Sequence, residues 1–207
     1  MNGNATTYTL HLGDLPAGLD LGPAVAVDTE TMGLDPRRDR LCLVQLSAGD
    51  GRAHLVQVAA PYDCPNLKAL LADPACEKLF HFARFDVAVI EKFLGVICAP
   101  VFCTKIASKL VRTFTDRHGL KDLCKELLGV DLSKQQQSSD WGAATLAPEQ
   151  LAYAATDVLH LHALQAKLLP ILAREGRLEL ARACFHFLPA RGRLDLLGWD
   201  ENDIFAH

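Results

Sequence analysis

The sequence predicts an α/β fold with a mixed sheet covered on its faces, and three observations carry that prediction. Short apolar strands come first, in a meander. Strands then alternate with helices. No internal repeat, low-complexity tract or linker divides the 207 residues, so one domain spanning 1–207 is expected.

The elements follow in order. Residues 23–27 (PAVAV) read as a buried strand entered from a Gly-Pro turn. Residues 40–46 and 53–58 continue the meander across the turn at 48–51. A short helix over 65–71 and a fourth strand over 78–82 come next. Residues 85–94 place apolar side chains at helical spacing and stop at Gly95, a suitable C-cap. A fifth strand around Val101 and Phe102 leads into a helix over 104–111, and a further helix runs from His118 to Leu128, ending at Gly129. Pro148 suits the first turn of a long helix reaching Leu172. The last helix, 178–188, is closed by Pro189.

Composition narrows the class. Half the residues are hydrophobic and 22% are charged, the balance of a soluble globular protein, and no apolar run is long enough to span a bilayer. The N-terminal segment lacks the charged and apolar regions of a secretory signal. Seven cysteines with no CxxC pair read as reduced core thiols, and a cytoplasmic location is expected. A net charge of −4 argues against a broad basic surface gripping long nucleic acid. A nucleic-acid substrate would be short, or held by a local basic patch with metal ions.

Three acidic motifs stand out. Asp28-Thr29-Glu30 ends the first strand, where period two turns both carboxylates to one face. Two like charges so placed are costly without a cation nearby. Asp86, in HFARFD, sits at a strand-to-helix junction, and Tyr153 and Asp157 share a helix face at i,i+4. Each motif alone is explicable: a turn, a favourable helix-dipole position, a surface contact. Together, four acids in this order can converge on two divalent ions roughly 4 Å apart, a hard oxygen site for Mg²⁺ or Mn²⁺ acting on a phosphodiester.

The ordered set D-x-E, F-D, Y-x-x-x-D over residues 23–172 resembles the tyrosine branch of the DEDD 3′→5′ exonucleases. That resemblance implies an RNase H-like (DnaQ-like exonuclease) fold with a five-stranded mixed sheet. It further implies two-metal hydrolysis from a 3′ end to nucleoside 5′-monophosphates. Asp28, Glu30, Asp86 and Asp157 would bind the metals, and Tyr153 would position or help deprotonate the attacking water. Residues 118–123 (HGLKDL) and 132–141 (LSKQQQSSDW) look like ribonuclease D, and the compact length and ending GWDENDIFAH are similar to the NrnC (nanoRNase C) type. NrnC resemblance implies degradation of very short RNAs, above all dinucleotides, by a ring-shaped homo-octamer. DNA, including duplex DNA, and ribonuclease D-like trimming are the alternative substrates; a non-catalytic module would lack one of the acids.

Further candidate substrate contacts are Thr29, Gly33, Leu34, His81, Arg112, Arg117, His118, Gln136 and Ser138. Leu34 could wedge against bases, with Gly33 supplying the turn that presents it. Residues 104–126 hold six Lys or Arg against three acids, either a solvated face or a phosphate-binding surface centred on Arg112, Arg117 and His118. Gln136, Ser138 and Ser139 lie in a polar loop anchored by Trp141. His81 alternates with Ala83, which favours a satisfied core histidine over a ligand. Trp199 and Phe205 read as subunit-interface anchors, placing 178–207 at a homo-oligomer contact.

Overall fold

A computed structural model of the chain describes residues 7–132, 139–202 and 204–207. Six strands form one sheet: β1 (Thr7–Leu12), β2 (Ala24–Thr31), β3 (Leu41–Ser47), β4 (Arg52–Gln57), β5 (Glu77–Phe80) and β6 (Val101–Cys103). Their order is β1-β4-β3-β2-β5-β6. Only β3 runs antiparallel to its neighbours, so the meander and both parallel additions share one mixed sheet. Five strands were expected from the resemblance. The sixth is β1, an edge strand parallel to β4 whose residues are exposed or half-buried, so its sequence lacks the apolar signature of a core strand.

All seven residues of β3 are buried, as a strand covered on both faces must be. Helix α5 (Pro148–Leu159) lies across β1 to β4. Helix α2 (Ala83–Leu94) packs on β2, β3 and β6, and is itself covered by α7 (Leu178–Leu196). Helices α1 (Pro65–Ala72), α3 (Thr104–Val111) and α6 (Leu161–Arg174) complete the covering, with the short α4 (Leu120–Leu123) running into a π-helical turn over Cys124–Leu128.

Several boundaries differ from expectation. The helix expected from His118 begins at Leu120, because Gly119 is extended, and its second half widens to π spacing before Gly129 ends it in the left-handed region. The single helix expected over 148–172 breaks at His160. No Pro or Gly marks that break. The buried stripe Leu151, Ala154, Ala155, Val158 faces the sheet, whereas Leu161, Leu164, Leu168 and Leu172 serve a helix packed on α3 and β5, so one straight rod could not bury both.

Pro189 does not close the last helix. It sits inside α7, which continues to Leu196. An interior proline costs about 3 kcal/mol. The burial of Ala181, Phe185 and Leu188 before it and of Gly192 and Asp195 after it offsets that cost. A Cβ on Gly192 would lie 3.0 Å from Val87 Cγ2 and 3.2 Å from the Ala88 nitrogen, so α7 and α2 meet nearly backbone to backbone.

Six of the cysteines are buried and Cys184 is half-buried, all as free thiols. Lys78 is fully buried in β5, with its ammonium donating to the carbonyls of Asp73, Cys76 and Ala99 at 2.7, 2.6 and 2.6 Å.

Candidate active site

The end of β2 carries Asp28 and Glu30, and α5 lies over it carrying Asp157. One oxygen from each of these three carboxylates lies within 4.8 Å of the others. Asp86 is buried in the first turn of α2. Thr29, buried between Asp28 and Glu30, donates from Oγ1 to Asp86 Oδ1 at 2.7 Å. Antiparallel register places Gln45 of β3 opposite Asp28, and its Nε2 donates to Asp28 Oδ2 at 3.3 Å. Tyr153 lies one turn before Asp157 on the same helix, with its phenol interacting with that carboxylate.

Burial and crowding dominate the electrostatics. Desolvation, followed by the charges of Asp86, Asp157 and Glu30, holds Asp28 well above the usual carboxylate range. Glu30 is pushed up to about 9 by burial and by Asp157 and Asp86. Burial raises Asp86 and Asp157 to about 7 each, against the opposing hydrogen bonds from Thr29 and Tyr153. The Tyr153 phenol is raised by burial and by the neighbouring carboxylates. Among the described residues, no lysine, arginine or histidine stabilises the ionised form of any of the four acids. Four such groups with oxygen donors only and no internal counter-charge fit hard divalent cations, which would relieve the repulsion that burial imposes.

The acids form the floor of a cleft of about 640 Å³. Leu34, 88% exposed, stands on its wall. Gly33 is required there for a reason other than turn conformation: a Cβ would lie 2.2 Å from Asp39 Oδ2, the carboxylate that accepts from the Asp35 nitrogen and orders this loop. His81 reaches the cleft half-buried, with Nδ1 2.9 Å from Thr104 Oγ1. Burial and the charge of Lys105 push its imidazole down to about 3, so it is neutral.

The expected basic contacts sit elsewhere. Arg112 is buried away from the cleft, paired with Glu126 and donating to Ser108 Oγ and the Arg117 carbonyl, so its guanidinium ties α3 to the following loop. Arg117 donates twice to Asp122, and His118 Nδ1 lies 2.8 Å from Ser108 Oγ. Among the described residues, the cations on the cleft wall are Lys105 and Lys121. Gln136 and Ser138 lie outside the described residues, while Ser139 and Trp141 line the cleft. Trp141 is buried with its ring centroid 6.3 Å from that of Tyr153.

Gln45 and Phe82 are not singled out by the sequence, and Lys105 and Lys121 stand only within the basic stretch 104–126, centred on Arg112, Arg117 and His118. A lone glutamine in the apolar strand LCLVQLS was the one signal for Gln45, since it faces Asp28 only once the register is known.

A family model described as 3′-5′ exonuclease matches residues 11–173. The chain belongs to the 3′-5′ exonuclease family. Ribonuclease D of Gluconacetobacter diazotrophicus is 40% identical to this exonuclease over 158 residues, covering 76% of the chain and 40% of that relative. The chain thus spans about two fifths of the length of the curated relatives it matches. NrnC of Brucella melitensis bound to pGG shares 56% identity and a TM-score of 0.94, with 98% of this chain and 99% of that one covered. The same protein with bound Mg²⁺ gives 56% identity and a TM-score of 0.93, with 97% and 99% covered. The RNase H-like exonuclease fold is therefore shared along essentially the whole chain, with one edge strand more than expected.

None of the helices in the described residues is long and apolar enough to cross a membrane.

Proposed function

We propose that this exonuclease hydrolyses short oligoribonucleotides, dinucleotides above all, from the 3′ end to nucleoside 5′-monophosphates with the help of two divalent cations. The observation that carries this reading is the convergence of Asp28, Glu30 and Asp157 within 4.8 Å, beside Asp86, in buried surroundings where no cation among the described residues stabilises their ionised forms. These four residues would hold Mg²⁺ or Mn²⁺. When bound, such ions neutralise charge on a phosphodiester undergoing in-line displacement by water.

The chain's own residues do the rest. Thr29 and Gln45 hold Asp86 and Asp28 in place through their hydrogen bonds. The Tyr153 phenol, raised by burial and by the neighbouring carboxylates, would position the attacking water or help deprotonate it. Leu34 offers a sequence-tolerant apolar contact to a base, and Lys105 and Lys121 offer charge to the backbone phosphates. His81, being neutral, contributes shape and a hydrogen bond.

The dinucleotide preference is supported by the pGG that the similar Brucella protein carries. It is also supported by the absence of net positive charge in the chain. End-labelled RNAs of two to ten nucleotides and duplex DNA, compared in single turnover with Mg²⁺, test the reading. Preferential loss of dinucleotides is expected. Their accumulation, or faster digestion of the duplex, would replace it with the ribonuclease D-like or DNA reading. A homo-oligomer, an octamer by resemblance, is part of the proposal; exposed Leu197, Trp199, Ile204 and Phe205 near the C-terminus support a self-association face, and light scattering of the full chain tests it.

A further inference from the structure

Phe82 carries two costs that folding does not explain. Its backbone is left-handed, with φ 71° and ψ 41°, a conformation that favours glycine or asparagine. Its ring is 46% exposed and is not packed into the hydrophobic core. The left-handed turn itself has a purpose, because it swings the chain from β5 into α2 so that Asp86 faces the other acids. A glycine would make that turn without strain, so the phenylalanine side chain needs a separate reason.

Tyr62 shows what a structural reason looks like. It is the other non-glycine described with positive φ, and its hydroxyl donates to the Leu41 carbonyl while its ring packs on Phe93. Phe82 has no comparable anchor. Its ring lines the cleft wall, and the contact it makes there is with a cation: Lys105 Nζ sits 4.3 Å from the ring centroid. An exposed aromatic ring on the cleft wall, beside a lysine ammonium and on the turn that leads to Asp86, is placed to meet a flat apolar ligand bearing phosphate.

We propose that Phe82 is a stacking platform for a nucleobase of the substrate, setting affinity without reading sequence. The proposal rests on the short-oligonucleotide reading of this cleft. Stacking on an aromatic side chain tolerates any base, since every base has a π face.

The test uses the full chain with Mg²⁺ and 5′-phosphorylated GG, together with two analogues, each abasic at one position. Phe82→Gly removes the ring and relieves the backbone, so its melting temperature should equal or exceed the parent's. Its KM for the dinucleotide should rise about 10-fold, with kcat changed far less. Phe82→Trp should restore KM. Removing the stacked base should raise KM for the parent and not for Phe82→Gly, and the analogue showing this identifies the position. A fall in melting temperature with KM unchanged, or equal loss from base removal in both proteins, overturns the proposal. Failure of the parent itself to hydrolyse any dinucleotide would instead overturn the underlying reading.

Discussion

Arg84 donates through Nε and Nη2 to the two carboxylate oxygens of Asp195, at 2.6 and 2.8 Å, so the helix that carries Asp86 is fastened to the last turn of α7. Asp195 is buried and also accepts from Arg191 at 2.6 Å. Both arginines reach on to the carbonyl of Asp200, whose side chain pairs with Arg37 in the loop after the first acidic motif.

Asp195→Ala leaves two guanidinium groups without their shared acceptor. Because Arg84 is partly exposed, the expected loss is about 2 kcal/mol, less than for a fully buried pair. Thermal unfolding should show a drop of roughly 4–8 °C, and Asp195→Asn should recover part of it. An unchanged melting temperature would show that the C-terminal turn is not fastened through this contact.

Asp28→Ala and Asp157→Ala should each abolish hydrolysis while the metal-free protein stays folded, since each removes a carboxylate that its neighbours repel. Tyr153→Phe should lower the single-turnover rate by about 10²-fold with Mg²⁺ affinity, measured by titration calorimetry, nearly unaltered. A normal rate in Tyr153→Phe would remove the phenol from the chemistry.

Stability without metal should fall as pH rises. The four acids hold protons in the fold that they would lose in the unfolded chain, so their contribution is complete below the ordinary carboxylate range. It is lost as pH rises through about 7 for Asp86 and Asp157 and about 9 for Glu30. The melting temperature in chelator should therefore decline between about pH 5 and about pH 9. Mg²⁺ should raise it most at the alkaline end, where the acids are ionised. A chelated protein that gains stability over this range would contradict the crowded-carboxylate account.

Lys78→Met should destabilise by about 3 kcal/mol or more, because the three carbonyls that now accept from the ammonium lose their donor inside the protein. Urea unfolding measures it directly. A loss below about 1 kcal/mol would mean that water replaces the ammonium at those carbonyls.

The acidic motifs and their carrier elements were legible in the sequence because they follow from local periodicity. Period two put Asp28 and Glu30 on one face, and i,i+4 put Tyr153 beside Asp157, whatever the rest of the chain does. The apolar runs of the central strands and the glycine stops at Gly95 and Gly129 were legible for the same reason.

What only the tertiary structure decided is which distant groups share that site. The register of β3 against β2 brings Gln45 to Asp28, and the α2 position brings Asp86 to Thr29. A run of six cations does not say which of them line the cleft. Arg112 is turned inward to Glu126, and Lys105 and Lys121 are left on the cleft wall. The breaks and continuations of the later helices belong to the same class: α7 passes through Pro189 because packing on α2 outweighs a local propensity, and the long helix divides at His160 because two surfaces need covering. Propensity acts over one turn, whereas burial is settled only when the neighbouring elements are in place.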